Sequence, residues 1–160
     1  MKKLSFMMLA VFALGSILFI SCEKSDDINP DQIYKEALQS KYPDATRAEW
    51  EKKKTYYVAD CWSGKKDLEV WFNENAEWLM TETELARTEL PTAITDALKA
   101  TNYADWRIDD VDMLEYTNSS VVYVVEVEQK NKEIDLYFSP AGELLKEVDV
   151  TYSDDTHWPE

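Results

Sequence analysis

The groups able to do chemistry in this chain are 32 acidic residues, one histidine and two cysteines. A Ser–His or Cys–His nucleophile needs a base that is itself oriented by a third group. The single histidine, His157, lies in a C-terminal stretch between Thr156 and Trp158-Pro159, and nothing in the spacing brings a partner to it. It is expected to be an unengaged part of the tail. Metal sites built on nitrogen or sulfur lack ligands for the same reason. Asp109-Asp110-Val111-Asp112 offers oxygens to Ca²⁺, but the Gly turn and terminal Glu of an EF-hand loop are missing, so the segment reads as a solvated acidic loop. In so acidic a chain close carboxylate pairs arise by chance, and no glycosidase pair can be argued from spacing. Gly15, Gly64 and Gly142 are the only glycines and form no phosphate-cradling loop. Catalytic residues, cofactor and metal are therefore all expected to be absent.

The net charge of −15 repels a phosphate backbone, so nucleic acid is excluded as a partner. Disorder is excluded too, because 45% of the residues are hydrophobic and 12% aromatic, enough for a packed core. The chemistry that remains is recognition by aromatic and acidic side chains, and its placement depends on the elements that carry them.

Those elements repeat. Asp67–Leu79 aligns with Glu133–Leu145 at an offset of 66, with Phe72/Phe138, Glu77/Glu143 and Leu79/Leu145 identical, where composition alone gives about one identity. Acidic, aliphatic and aromatic positions correspond between them, and Tyr57-Val58 falls on Tyr123-Val124 at the same offset. Ala37-Leu38 matches Ala97-Leu98 at an offset of 60. Each copy opens with a short helix, N-capped by Asp31 or Thr92, with Ile33, Ala37 and Leu38 or Ile94, Ala97 and Leu98 as its apolar face. Tyr42-Pro43-Asp44 and Asn102-Tyr103 end the helices. Strand-like runs follow near 46–51, 56–62, 68–72 and 77–82, and again near 107–116, 121–128, 134–138 and 143–150.

The predicted fold is α+β: two tandem α-β-β-β-β repeats forming one continuous antiparallel sheet, helices on one face and an open face opposite. Strict alternation turns Leu68, Val70, Phe72, Ile134, Leu136 and Phe138 toward the helices. The open face then receives Trp62, Trp71 and Tyr137 among Asp60, Glu69, Glu126 and Asp135, with Glu128 beside them. A one-residue bulge would reverse the assignment. The aromatics either anchor a partner, with acids steering a basic one, or simply pair across strands. Cys61, in the second strand of the first copy, reads as a small buried hydrophobe.

Residues 1–21 carry Lys2 and Lys3, then a charge-free apolar run, then Ser21 before Cys22. That order is a signal peptide, too short in its apolar part for a comfortable membrane span. Phe19-Ile20-Ser21-Cys22 resembles a bacterial lipobox, in which the cysteine is lipidated and becomes the N-terminus, with Phe19 where Leu is usual. Residues 22–30 would be an acidic tether, and Glu23–Asp27 also resembles the acidic export tags of some surface lipoproteins. Residues 31–86 and 87–152 would hold the two repeats and 153–160 a C-terminal tail. Lipidation of Cys22 leaves Cys61 as a lone thiol, without an internal disulfide.

Tyr42-Pro43-Asp44-Ala45 followed by Trp50, a Tyr-Val strand, Glu69-Val70-Trp71-Phe72-Asn73 and then Glu77-Trp78-Leu79 resembles the PepSY-like, beta-lactamase-inhibitor-like family of secreted bacterial proteins. Both copies fit, from about Asp31 to Val150, with Gly142 at the usual turn glycine and Ala76 replacing it in the first copy. The resemblance implies tandem copies forming one continuous antiparallel sheet with helices on its convex side; the lack of catalytic groups argues separately against an enzyme. The expected function is an envelope lipoprotein that binds an unknown protein or peptide through the open face, as an inhibitor of a secreted or periplasmic hydrolase. The alternative is a sensor or scavenger of a small cationic ligand, peptide or Ca²⁺. The oligomeric state stays open.

Overall fold

The computed structural model describes residues 26–153 and 156–159. The expected signal peptide and Cys22 lie outside the described residues, among which no helix is long and apolar enough to cross a membrane. Helix α1 (Gln32–Lys41) precedes strands β2 (Ala45–Lys53), β3 (Tyr56–Ser63), β4 (Lys66–Phe72) and β5 (Trp78–Glu84). A 3₁₀ turn and helix α2 (Thr92–Leu98) lead to β6 (Arg107–Tyr116), β7 (Val121–Gln129), β8 (Lys132–Phe138) and β9 (Leu144–Asp149). With the two-residue β1 (Asp26–Asp27) they form one antiparallel sheet in sequence order, an α+β fold.

β1 corrects the expected tether. Asp26 and Asp27 pair with Lys52 and Glu51, and the Ile28 amide donates to the Trp50 carbonyl at 2.8 Å. Asp26–Ile28 therefore cover part of the edge of β2, which would otherwise expose unpaired backbone groups.

Both helices pack on the same face. Tyr34 and Leu38 of α1, four residues apart, sink among Trp50, Ala59, Leu68, Val70 and Phe72. Ile33, expected inward, is 57% exposed, because Tyr34 takes its place, stacked on Tyr57 at 4.1 Å and bonded through its hydroxyl to the Glu74 carbonyl at 3.0 Å. Ile94 and Leu98 of α2 bury among Val111, Val125, Val127, Leu136 and Phe138. The cap of α2 also differs from expectation, with Pro91 at the N-cap and Thr92 inside. α2 stops at Leu98, short of Asn102. There Thr101 Oγ1 donates to the Leu98 carbonyl at 2.7 Å and accepts the Tyr103 amide at 3.1 Å, so the side chain competes with the backbone for helical partners.

Registers coincide along the chain. Tyr57, Asp60 and Cys61 of β3 face Phe72, Glu69 and Leu68 of β4, and 66 residues later Tyr123, Glu126 and Val127 of β7 face Phe138, Asp135 and Ile134 of β8. Trp71 faces Met80 while Phe72 faces Trp78, so the extra residue Leu79 sits on β5; Leu145 is the matching extra residue on β9. Because these bulges fall on the partner strands, the alternation of β4 and β8 is kept. Their turns match as well: Asn73 and Ser139 amides donate to Glu77 and Glu143 carbonyls at 3.0 and 2.9 Å. Ala76 holds φ 59° where Gly142 holds 84°. Gly142 is required, since a Cβ there would meet the Ala93 carbonyl oxygen at 2.5 Å.

Candidate binding face opposite the helices

Register places Asp60, Glu69 and Trp71 of β3 and β4 on the face away from the helices, level with Glu82 and Met80 of β5. Asp112 and Leu114 of β6 continue it to Val124 and Val122 of β7, and Val124 to Tyr137 of β8. Trp62 is on this side too, opposite Asp67 and 40% exposed.

The face is not open, which corrects the expectation. Trp71 is wholly buried, and Tyr137 and Asp135 are 9% and 3% exposed. Trp71 belongs to a third apolar cluster with Val58, Met80, Leu114, Val124 and Tyr137. The cover is the C-terminal segment. Trp158 meets Trp71 edge-on at 5.6 Å between ring centroids and Tyr56 at 6.1 Å, with Lys54 Nζ 3.8 Å from its own ring. His157, expected to hang free, is buried: Nδ1 lies 3.0 Å from Glu82 Oε1 and Nε2 lies 3.5 Å from Asp135 Oδ2. Its ring stands perpendicular to Tyr137 at 5.9 Å.

Neither imidazole nitrogen has an aligned hydrogen bond, so proximity and charge, not direction, hold the ring among carboxylates. The Trp71 indole N–H is also buried without a partner. Leaving such a donor unmade costs about 1–3 kcal/mol.

Beside the apolar cluster the acids crowd. A cavity of about 100 Å³ is lined by Glu69, Glu82, Asp110, Asp112, Val124, Glu126, Asp135, Thr156 and His157. Asp60, Asp67 and Glu84 extend it into a shallower acidic depression. Burial, with the neighbouring Glu82 and Asp110, pushes Asp112 up to about 8. Burial raises Glu69 against the opposing pull of Lys53, which bonds its carboxylate at 3.2 and 3.3 Å. Burial and then Asp67 raise Asp60. For His157 burial acts against the charged form, yet the carboxylates of Asp135 and Glu82 outweigh it and hold the ring at about 10. A protonated imidazole of this kind cannot serve as a general base at neutral pH.

Oxygens of Glu82 and Asp112 and a nitrogen of His157 lie within 4.8 Å of one another. Asp112 comes from the run that reads as a solvated loop, but it is buried inside β6 at 8% exposure. Cys61 is buried in the helix-side core, with burial pushing its thiol up to about 11. Sequence reasoning missed His157; the available signal was a His-Trp-Pro ending where a merely solvated tail calls for neither aromatic nor proline.

A family model described as "Putative beta-lactamase-inhibitor-like, PepSY-like" matches residues 55–146. The crystal structure of a BLIP-like protein from Bacteroides fragilis NCTC 9343 is similar at 51% identity and a TM-score of 0.78, covering 82% of this chain and 94% of that chain. A DUF2874 family protein from Bacteroides uniformis ATCC 8492 is 28% identical with a TM-score of 0.76, covering 79% of this chain and 94% of that one. A protein from Bacteroides eggerthii DSM 20697, described as periplasmic, is 27% identical with a TM-score of 0.75 at the same coverages of 79% and 94%. None of the curated proteins compared matches. Joined to the α+β fold with both helices on one face, the family model and the half-identical relative establish that this chain belongs to the PepSY-like, beta-lactamase-inhibitor-like family.

Proposed function

We propose that this chain is a non-catalytic, extracytoplasmic binding module, lipid-anchored through Cys22, which takes a cationic, aromatic-bearing segment of a partner protein on the face opposite the helices. One observation carries the reading: the chain's own His157 and Trp158 already occupy that face, the ring cation among Glu82 and Asp135 and the indole on Trp71. A partner segment of the same chemistry would displace the tail or dock beside it, where Trp62 is exposed near Asp60 and Asp67. Inhibition of a secreted or periplasmic hydrolase is the role that the inhibitor-like description of the family and of its Bacteroides fragilis relative favours. The extracytoplasmic address draws support from the relative described as periplasmic. The coinciding registers 66 residues apart favour an origin by tandem duplication.

The test is capture from envelope extracts of the producing cell by the intact lipoprotein and by a Trp62→Ala/Asp60→Asn variant. A defined partner retained by the parent and lost by the variant supports the reading. Absence of any protein above background, or equal capture by both, refutes it.

A second reading, a sensor or scavenger of a small cation, is favoured by the carboxylate-lined cavity of about 100 Å³. That space admits an ion with its waters and is too small for a drug-sized ligand, which fills roughly 300–1,000 Å³.

A further inference from the structure

We propose that Glu82, Asp112 and His157 form a binding site for a first-row transition-metal dication, Zn²⁺ by donor chemistry, which ties the C-terminal segment to β5 and β6. The inference rests on the cation reading and specifies which class of cation.

Three donors from three separate parts of the chain converge within 4.8 Å of one another. Ligand atoms around a tetrahedral ion at about 2.0–2.2 Å lie closer together than that, so modest side-chain adjustment closes the set. Acidic clustering alone would mean little. The independent observation is His157: the residue is 7% exposed, it points into the cluster, and neither ring nitrogen makes an aligned hydrogen bond. Both nitrogens face carboxylates, yet in neither pair is the geometry that of a hydrogen bond, so the directional capacity of a buried ring is left unused. A metal bond to Nδ1, which faces Glu82 at 3.0 Å, would satisfy one nitrogen. Nε2, 3.5 Å from Asp135 Oδ2, would then sit as histidine ligands usually do, with the far nitrogen toward a carboxylate that fixes the ring.

Donor type selects the ion. Ca²⁺ takes six to eight oxygens and Mg²⁺ keeps several waters, whereas one imidazole with two carboxylates suits Zn²⁺, ahead of Mn²⁺ in the affinity order of divalent ions. The remaining acids around the cavity, Glu69 and Glu126 among them, supply negative charge that a dication would neutralise. The ion would also fix Trp158 on Trp71, since His157 is its chain neighbour.

The experiment is calorimetric titration of chelator-stripped full chain with ZnCl₂, and separately with CaCl₂, for the parent, His157→Gln and Asp112→Asn. Parallel Co²⁺ titrations read the visible absorption of the bound ion. One Zn²⁺ per chain is expected, weakened at least about tenfold in His157→Gln, the size of loss that even an outer partner of a metal ligand produces, with tetrahedral-type Co²⁺ absorption lost in step. Far-ultraviolet circular dichroism of both variants verifies the fold. Zn²⁺ heats unchanged by His157→Gln overturn the proposal. Binding of Ca²⁺ without Zn²⁺ overturns it and leaves the cation reading standing; no heat from either ion removes both.

Discussion

Trp71 gives the sharpest test of how the helix-free face is built. The residue is completely buried against Trp158, Tyr56, Val58 and Met80, yet its indole N–H has no acceptor. Truncating a buried Trp to Ala costs about 3–5 kcal/mol through lost burial and the cavity left behind. Removing an unsatisfied buried donor returns about 1–3 kcal/mol of that. With each range at its midpoint, Trp71→Ala should therefore lose about 2 kcal/mol, roughly 5–10 °C in melting temperature for a domain of this size. Trp71→Phe keeps an aromatic ring in the cluster and removes the orphan N–H. Its smaller cavity and the relieved donor nearly cancel, so it should stay within about 1 kcal/mol of the parent. Urea unfolding followed by far-ultraviolet circular dichroism, with unchanged slopes, measures both. If Trp71→Phe falls as far as Trp71→Ala, the N–H has a partner and the orphan argument is wrong. If Trp71→Ala costs less than about 0.5 kcal/mol, as for an exposed side chain, the C-terminal segment does not cover the face in solution.

Phe72→Ala and Phe138→Ala, both fully buried under their respective helices, should each cost about 3–5 kcal/mol in the same urea assay; one harmless and one severe result would break the equivalence of the two halves. Gly142→Ala should cost more than about 2 kcal/mol, because a methyl would meet the Ala93 backbone at 2.5 Å in a left-handed conformation. Ala76→Gly at the matching turn, already at φ 59°, should change stability by less than about 1 kcal/mol, as comparative thermal melts would show. Cys61, whose buried thiol is pushed up to about 11, should resist alkylation at pH 8 in the folded protein and react once urea unfolds it; rapid labelling of native protein would contradict the packing. On the proposed lipid anchor, Cys22→Ala should abolish acyl labelling and membrane association, since the acidic body offers no attraction to anionic lipid and acyl chains contribute about 0.8 kcal/mol per buried CH₂.

The period-two pattern of β4 and β8 made the face assignment legible: Glu69, Trp71, Asp135 and Tyr137 are two apart in each strand and share one side, as the registers place them. It survived because the bulges that could have reversed it sit at Leu79 and Leu145 of the neighbouring strands. What alternation cannot report is what lies on top of a face. The cover comes from Thr156–Pro159, a segment without secondary structure or period, whose contacts lie in sequence far from Glu82 and Trp71. The choice between Ile33 and Tyr34 was similarly out of reach, because it turns on a stacking partner, Tyr57, and on a carbonyl acceptor at Glu74. Asp112 read as part of a solvated loop although it fell within the expected strand-like run near 107–116; its place between β5 and β7 and under His157, which the run cannot report, makes it a buried acid.

Buried like charges weaken a fold unless something compensates them, and a sheet face meant only for stability would carry apolar side chains where Glu69, Glu82, Asp112 and Asp135 stand. His157 provides part of the compensation, with Lys53 bonding Glu69 at the edge. Ordering residues 156–159 for this purpose costs backbone entropy of about 1–2 kcal/mol per residue. Against that stand two aromatic contacts of Trp158 at about 0.5–1.5 kcal/mol each, one cation–π contact with Lys54 of about 0.5–1 kcal/mol and the ion pairs of His157. A partner segment of the proposed chemistry, with a cation and an aromatic ring in the same order, would regain the same kinds of contact on displacing residues 156–159. A dication held at the proposed site by Glu82, Asp112 and His157 would stabilise the docked segment by an amount that grows with free ion concentration over its Kd, so on the two proposals together metal loading would oppose partner capture.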